Sequence, residues 1–277
     1  TRLVFLGRPW MDPGRYDLVV TTPQYRVPPG PNVMEIDFPL HRVSAEAVAR
    51  EAERWAPRLA HLPRPWFAVF IGAGINRYTL DDRAAKRIAL EAGALAAAGG
   101  GSLLICGSYR TPPRALQVIR ENLPVPAWIF DWHRSEGDNP YLAFLGLADG
   151  IVVTGDSMTM LAEACTTGKP VYIFDLGEGR FAMRETPPQH PPIAIAHPWL
   201  MSALRARAMH LKVCVTNSII PKRLHRDTRP IHRKLIASGR AVWLGDDFPA
   251  ERSAPPGNDV AAVAARVRRL MGLEPGR

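Results

Sequence analysis

Cysteine is scarce in this chain: Cys106, Cys165 and Cys214 are the only three in 277 residues, and none lies near another. Such spacing excludes a disulfide framework and a cysteine-rich zinc site, and it fits a reducing, cytoplasmic setting. No apolar run reaches the roughly 18 residues that a membrane-spanning helix needs. Acidic residues are outnumbered, 26 against 35 basic ones, which leaves a net charge of +9. That balance either favours anionic partners (phosphates, nucleotides, lipid surfaces, nucleic acid) or reflects a generally Arg- and Ala-rich composition. The opening "TRLVFLG" has no charged region, apolar region and cleavage site in succession, so no secretory leader is expected in it. The chain begins mid-pattern at Thr1, and preceding sequence is one expectation. Internal repeats are absent.

What is present is an alternation of apolar runs with amphipathic stretches. The 27 prolines punctuate it and imply many rigid loops. Short strands are expected at 3–7, 17–22 and 32–37, followed by a helix at 44–59 with Ser44 as its cap. "HLPRP" at 61–65 reads as a hinge. A βα series follows it: strands at 66–72, 101–107, 126–132, 150–155 and 170–174, with helices at 79–98, after 111, at 139–149 and at 157–167. The first of those helices is expected to be capped by Thr79. Continuous apolar strands alternating with helices imply a parallel sheet covered on both faces, an α/β fold. The expected division is an N-terminal domain at 1–62, a second domain at 63–257 with a basic insert at 185–235, and a terminal helix within 258–277.

In an open parallel sheet, ligands bind beyond the carboxyl ends of the strands. Three loops there carry suitable residues. "IGAGINRYT" holds Gly72, Gly74 and Arg77; "CGSYRTPP" holds Ser108 and Arg110; "TGDSMT" holds Asp156, Ser157, Met158 and Thr159. Glycines let backbone amides approach a phosphate, and a helix start adds positive partial charge. Tight βα turns also use Gly and Ser for purely structural reasons. The dinucleotide signature G-x-G-x-x-G is lacking, since "GAGINR" ends in arginine, which argues against an ordinary dinucleotide site. Glu163 sits too deep in its helix to cap it. It is either a solvated helix residue or, at a cleft, an acceptor for a ribose diol.

The stretch "NPYLAFLGLADGIVVTGDSMTMLAEACTTGKPVYIF", with "FIGAGINRYTLDD" and "GSLLICGSYRTPPRAL" before it in order, closely resembles the elongated-mitochondria (mitochondrial fission protein) family. The bacterial members of that family are described as outer-core glycosyltransferases. The similarity runs from about Tyr16 to Phe174 and fades beyond. The resemblance implies the GT-B plan of two Rossmann-like domains, here with a short or truncated first domain. It implies a metal-independent site for a nucleoside diphosphate sugar, the donor substrate, with no further cofactor.

On the same resemblance, Ser157 and Thr159, with their amides, would meet the diphosphate, and Glu163 would hold the ribose. Gly72 and Gly74 would line the first phosphate loop, Arg77 would supply charge, and Ser108 and Arg110 would add a second anion contact. Ile129 and Phe130 would sit near the base. His41, in "PLHRVS", is the one candidate general base near the domain junction, and equally a surface histidine. The expected function is transfer of a sugar to an envelope glycan or glycolipid. A non-catalytic adaptor retaining the fold and a sugar-nucleotide epimerase are the alternatives. The basic insert reads as a solvated face or as a segment lying on an anionic membrane surface, which would place the protein at its inner face. Nucleic acid is the least favoured partner, because no aromatics interleave with the charges.

Overall fold

The computed structural model describes residues 1–72, 74–75, 78–134, 137–190, 226–250 and 259–273. Residues 191–225, which hold most of the expected basic insert and Cys214, lie outside them, as does Arg77.

Two parallel sheets carry the α/β architecture. The first has three strands in the order β1 (Val4–Leu6), β2 (Leu18–Thr21) and β3 (Val33–Glu35). The second has six. Its central strand is β4 (Trp66–Ile71), an unbroken apolar run that can only be satisfied by burial on both faces. A small antiparallel hairpin, β5 (Gly74–Ile75) and β6 (Tyr78–Thr79), follows it. Then come β7 (Ser102–Gly107), β8 (Ala127–Phe130), β9 (Gly150–Thr154), β10 (Val171–Phe174) and β11 (Ala241–Trp243). Their order across the sheet is β11-β10-β9-β4-β7-β8, all parallel. From β4 the chain steps outward through β7 to β8, then returns to β9 and steps the other way. The direction therefore reverses between β4 and β9, which makes their carboxyl ends the switch point of the sheet.

Helices α2 (Asp82–Ala97), α3 (Pro113–Glu121), α4 (Tyr141–Leu147) and α5 (Met158–Thr166) connect these strands, and α6 (Arg229–Ala237) precedes β11. Helix α2 begins at Asp81, whose carboxylate accepts from Ala84 N at 2.9 Å. The expected cap, Thr79, is instead committed to the hairpin, where it pairs with Gly74.

Helix α1 (Ala45–Leu59) starts on Ser44 as expected, with Ser44 Oγ accepting from Ala47 N at 3.2 Å. By sequence order it falls in the first domain, yet its apolar stripe packs on the second sheet. Trp55 and Leu59 belong to the main core, and Trp55 meets Phe144 of α4 edge-on at 6.3 Å. Gly146 allows this approach, because a Cβ there would lie 2.9 Å from both Ala52 and Val48 side chains. The first sheet is closed by another element. Leu18, Val20 and Ile36 pack with Val263 of α7 (Val260–Leu270), flanked by Val267 and Leu270. The terminal helix is thus not a separate appendage but the cover of the first sheet.

Candidate functional site

The switch point brings two of the three expected loops into contact. Gly72, directly after β4, lies so close to Asp156, two residues after β9, that a Cβ at Gly72 would sit 2.3 Å from Asp156 Oδ2. Any side chain at 72 would displace that carboxylate. The same oxygen accepts from Gly74 N at 3.0 Å, and Gly72 N donates to Thr154 Oγ1 at 2.8 Å. Gly74 has φ +81°, where L-residues are strained, and a Cβ there would meet Tyr78 O at 2.4 Å.

The β7–α3 loop joins this arrangement through Thr111. Its hydroxyl donates to Ile71 O at 2.9 Å and accepts from Ser108 N at 2.8 Å, with Ser108 Oγ 3.0 Å away. Gly72, Gly74, Ser108 and Asp156 are therefore held in one constellation by buried and half-buried bonds between backbone and side chains. Ser157 caps α5 in position only: it makes no side-chain bond to the helix, and its N–H closes a turn on Thr154 O at 3.1 Å. Thr159 is exposed one turn on.

Glu163 has a partner that the sequence reading did not name. Tyr141, the first residue of α4, donates its hydroxyl to Glu163 Oε2, and its ring lies against Phe70 of β4 with centroids 4.5 Å apart. Burial pushes the Glu163 pKa up, and the bond from Tyr141 opposes that. The Tyr141 hydroxyl is pushed well above the ordinary tyrosine range, first by burial and then by the Glu163 charge. Tyr141 takes one of the roughly four lone-pair sites of a carboxylate, so a diol can still be accepted.

Other expected site residues are placed differently. Met158 and Phe130 are packed into the main core, so their side chains do not face a ligand; Ile129 is partly buried against the same core. The exposed aromatics at this edge are Tyr109 and Trp132, their rings 6.5 Å apart. Both follow strand ends, and their exposure was not readable from sequence.

His41 is the clearest correction. It lines a cavity of about 470 Å³ with Ser44, Gly146, Thr167 and Lys169. Gly146 and Lys169 precede the starts of β9 and β10, so this cavity lies at the amino edge of the sheet, opposite the constellation. Burial lowers the His41 pKa, but the fold does not bring it to the switch point.

Two further groups come from the first sheet. Arg8 follows the end of β1, and Tyr25 follows the end of β2. Both influence Arg226, as do Arg110 and Asp156 from the second sheet. Arg226 itself bonds Gln24, next to Tyr25, with Nε donating to Gln24 Oε1 at 2.5 Å. His232 of α6 fixes the β9 loop from behind. It is 2% exposed, its Nε2 is 2.8 Å from Gly155 O, and burial lowers its pKa to about 4, so the neutral ring donates there.

A larger cavity, about 950 Å³, is elsewhere, between α2 and the β10–β11 edge, lined by Arg87, Glu91, Asp175, Ile173 and Trp243. It holds none of the loop residues above, and size alone does not make it the site.

The family model for mitochondrial fission ELM1 matches residues 1–186. The chain belongs to this family. Among curated members of similar sequence, the mitochondrial fission protein ELM1 of Arabidopsis thaliana is 33% identical over 148 residues, covering 53% of this chain and 34% of that protein. An uncharacterized protein of Rickettsia prowazekii (strain Madrid E) is 28% identical over 145 residues, covering 51% and 40% respectively. The matches thus span well under half the length of these two relatives. Among solved structures, a glycosyl transferase family 9 protein from Veillonella parvula aligns with 73% of the chain and 53% of its own, at 13% identity and a TM-score of 0.36. Phytolacca americana UGT2, complexed with UDP-2fluoro-glucose and pterostilbene, aligns with 93% and 48%, at 10% identity and a TM-score of 0.30.

Proposed function

We propose that this ELM1-family chain is a glycosyltransferase that binds a nucleoside diphosphate sugar at the switch point of its second sheet. The observation that carries the reading is the close packing of the Gly72, Ser108 and Asp156 loops at the carboxyl ends of β4, β7 and β9, where the strand order reverses. That place in a parallel sheet is where a nucleotide phosphate fits. Ser108, Arg110, Ser157 and Thr159 surround the diphosphate, Glu163 and Tyr141 hold the ribose hydroxyls, and Tyr109 with Trp132 offers the base an aromatic face. Arg77 adds charge from the first loop. The leaving diphosphate gains its stabilisation from amides and guanidinium groups. The acceptor is an envelope glycan or glycolipid, met at the inner face of an anionic membrane.

A thermal-shift screen of nucleoside diphosphates tests the reading. A ligand at about 100 times its Kd should stabilise the protein by about 2.7 kcal/mol. Release of nucleoside diphosphate from the matching sugar nucleotide, only when an acceptor is added, should follow. The family description favours a second reading, an adaptor that keeps the fold without the chemistry. That reading wins if no nucleoside diphosphate shifts the melting temperature. Conversion of the donor sugar without any acceptor would point to an epimerase instead.

A further inference from the structure

Tyr141 is fastened to two neighbouring strands of the second sheet. Its backbone N–H donates to Asn139 Oδ1 at 3.0 Å, and that oxygen also accepts from Cys106 Sγ of β7 at 3.7 Å. Its ring rests on Phe70 of β4, which is fully buried. Main chain and ring are both held, so the phenol has little freedom in where it carries its hydroxyl. That hydroxyl donates to Glu163 Oε2. Glu163 is half-buried on α5, deeper in the helix than Ser157, and its Oε1 has no bond partner among the described residues. One oxygen of the carboxylate is thus taken and the other is left over.

A glutamate on a helix turns among several rotamers, and pinning one of its oxygens fixes the direction of the other. We propose that Tyr141 is the positioning residue of the donor site: by holding Oε2 of Glu163 it aims Oε1 at the ribose hydroxyls of a nucleoside diphosphate. This deepens the donor-site reading above and rests on it for the ligand. Tyr141's own share in holding the ribose passes through Glu163. The same bond serves the charge. An ionised carboxylate is an acceptor only, as a diol requires. Burial raises the Glu163 pKa, and the bond from Tyr141 pulls it back down. Among the described residues no other titratable group acts on Glu163. Besides Glu163, the titratable group that acts on Tyr141 is Cys106, whose thiol burial pushes up to about 12, so it stays neutral. Tyr141 is itself pushed well above its ordinary range, first by burial, and keeps its proton as the donor.

Tyr141→Phe keeps the ring on Phe70 and deletes the hydroxyl. In the ligand-free full chain, carbon NMR of the Glu163 carboxyl, assigned by its loss in Glu163→Ala, should show titration at higher pH in Tyr141→Phe than in the parent. Calorimetry then compares a ribonucleoside diphosphate with its 2′,3′-dideoxy analogue. Tyr141→Phe should weaken the ribonucleotide about tenfold in mildly acidic buffer. The gap should narrow as pH rises, and the dideoxy ligand should be unaffected. In a Glu163→Ala background the same substitution should change nothing, because Tyr141 acts through the carboxylate. An unmoved Glu163 titration overturns the positioning role and leaves the donor site standing. So does ribose-selective binding that Tyr141→Phe leaves intact, or a loss shared by the dideoxy ligand or persisting in the Glu163→Ala background. Equal affinity of the parent for both ligands removes the ribose contact of Glu163, and the role of Tyr141 with it. A parent that binds neither ligand removes the donor reading and the role of Tyr141 together.

Discussion

Glu163 stands where function and stability oppose each other. Its pKa is raised by burial, so the ionised form is disfavoured in the folded protein. A raised carboxylate pKa contributes stability below the ordinary value, and that stability is lost as pH rises through the folded pKa. At pH 7 the charged group is therefore a cost. Glu163→Gln keeps an acceptor for Tyr141 and removes the charge, so it should stabilise the ligand-free protein by about 0.5–2 kcal/mol and raise its melting temperature. The same change should weaken nucleotide binding by about 1.5–3 kcal/mol if the carboxylate holds a ribose diol. Calorimetry beside a melt reads both; a stabilised variant with full affinity would make Glu163 a passenger. His232 runs the other way in pH. Its pKa falls from 6.5 to about 4 on burial, so the folded state resists protonation. Stability is complete above pH 6.5 and drains away as pH falls from there toward 4. At about 1.36 kcal/mol per pH unit, the loss across that range is about 3 kcal/mol. His232→Gln can still donate to Gly155 O but cannot charge. Its stability should therefore lose about 3 kcal/mol less than the parent's as pH falls from 6.5 to 4, as urea titrations at several pH values would show.

At the scale of elements, the strands were the most legible feature and allegiance the least. β4 is apolar throughout, β7 and β9 are apolar through their middles, and only a doubly covered strand can use such a run. Their spacing by helices then dictates a parallel sheet, and the three loops follow from it. A helical stripe, by contrast, says that a face is buried and not against what. The Trp55–Leu59 face of α1 could have closed the first sheet as well as it covers α4, and nothing in its spacing decides. The stripe of α7 likewise does not reveal that it crosses back to β2. The grouping of Arg8 and Tyr25 with Arg226 was illegible for the same reason, since it depends on where the chain returns to the first sheet more than 200 residues on. Tyr141, in contrast, could have been suspected: it opens α4 within the motif-bearing stretch that ends at Phe174, one helix before Glu163. The allegiance of α7 is testable. Val263→Asp puts a charge among Leu18, Val20 and Ile36 and should cost about 2–5 kcal/mol where it acts. Hydrogen exchange should speed in Leu18–Thr21 and stay slow in Trp66–Ile71. Equal loosening of both strands would mean the two sheets share one cooperative core.

Across the whole molecule, the two sheets are tied by polar bonds more than by packing. Asp227 N donates to Gln24 O at 2.9 Å, its carboxylate pairs with Arg26 and Arg229, and Lys234 pairs with Asp37. Burial alone would raise the Asp227 pKa, but the bonds from Arg229 and the charge of Arg26 hold it at about 2. Such a group contributes stability above its ordinary value of 3.8, lost as pH falls from there toward 2. Asp227→Asn should remove that acid dependence and loosen the seam by about 1–3 kcal/mol. Calorimetric melting should then broaden into two transitions, one per sheet. A single sharp transition in the variant would show that Asp227 is not the tie.

The closure of the first sheet by α7 also bears on the order in which the protein is made. Val4 and Leu18 are synthesised well over 200 residues before Val263, Val267 and Leu270, and these residues form one cluster. The second sheet needs no such wait, since its strands and the helices that cover them are complete by Trp243. Synthesis therefore leaves the strands of the first sheet with a bare apolar face until α7 emerges, exposed to chaperones and to neighbouring nascent chains. Ribosome-stalled chains ending before residue 259 should accordingly resist protease through Trp66–Phe174 and be cut within residues 1–40, with protection of that early segment appearing only once α7 has emerged.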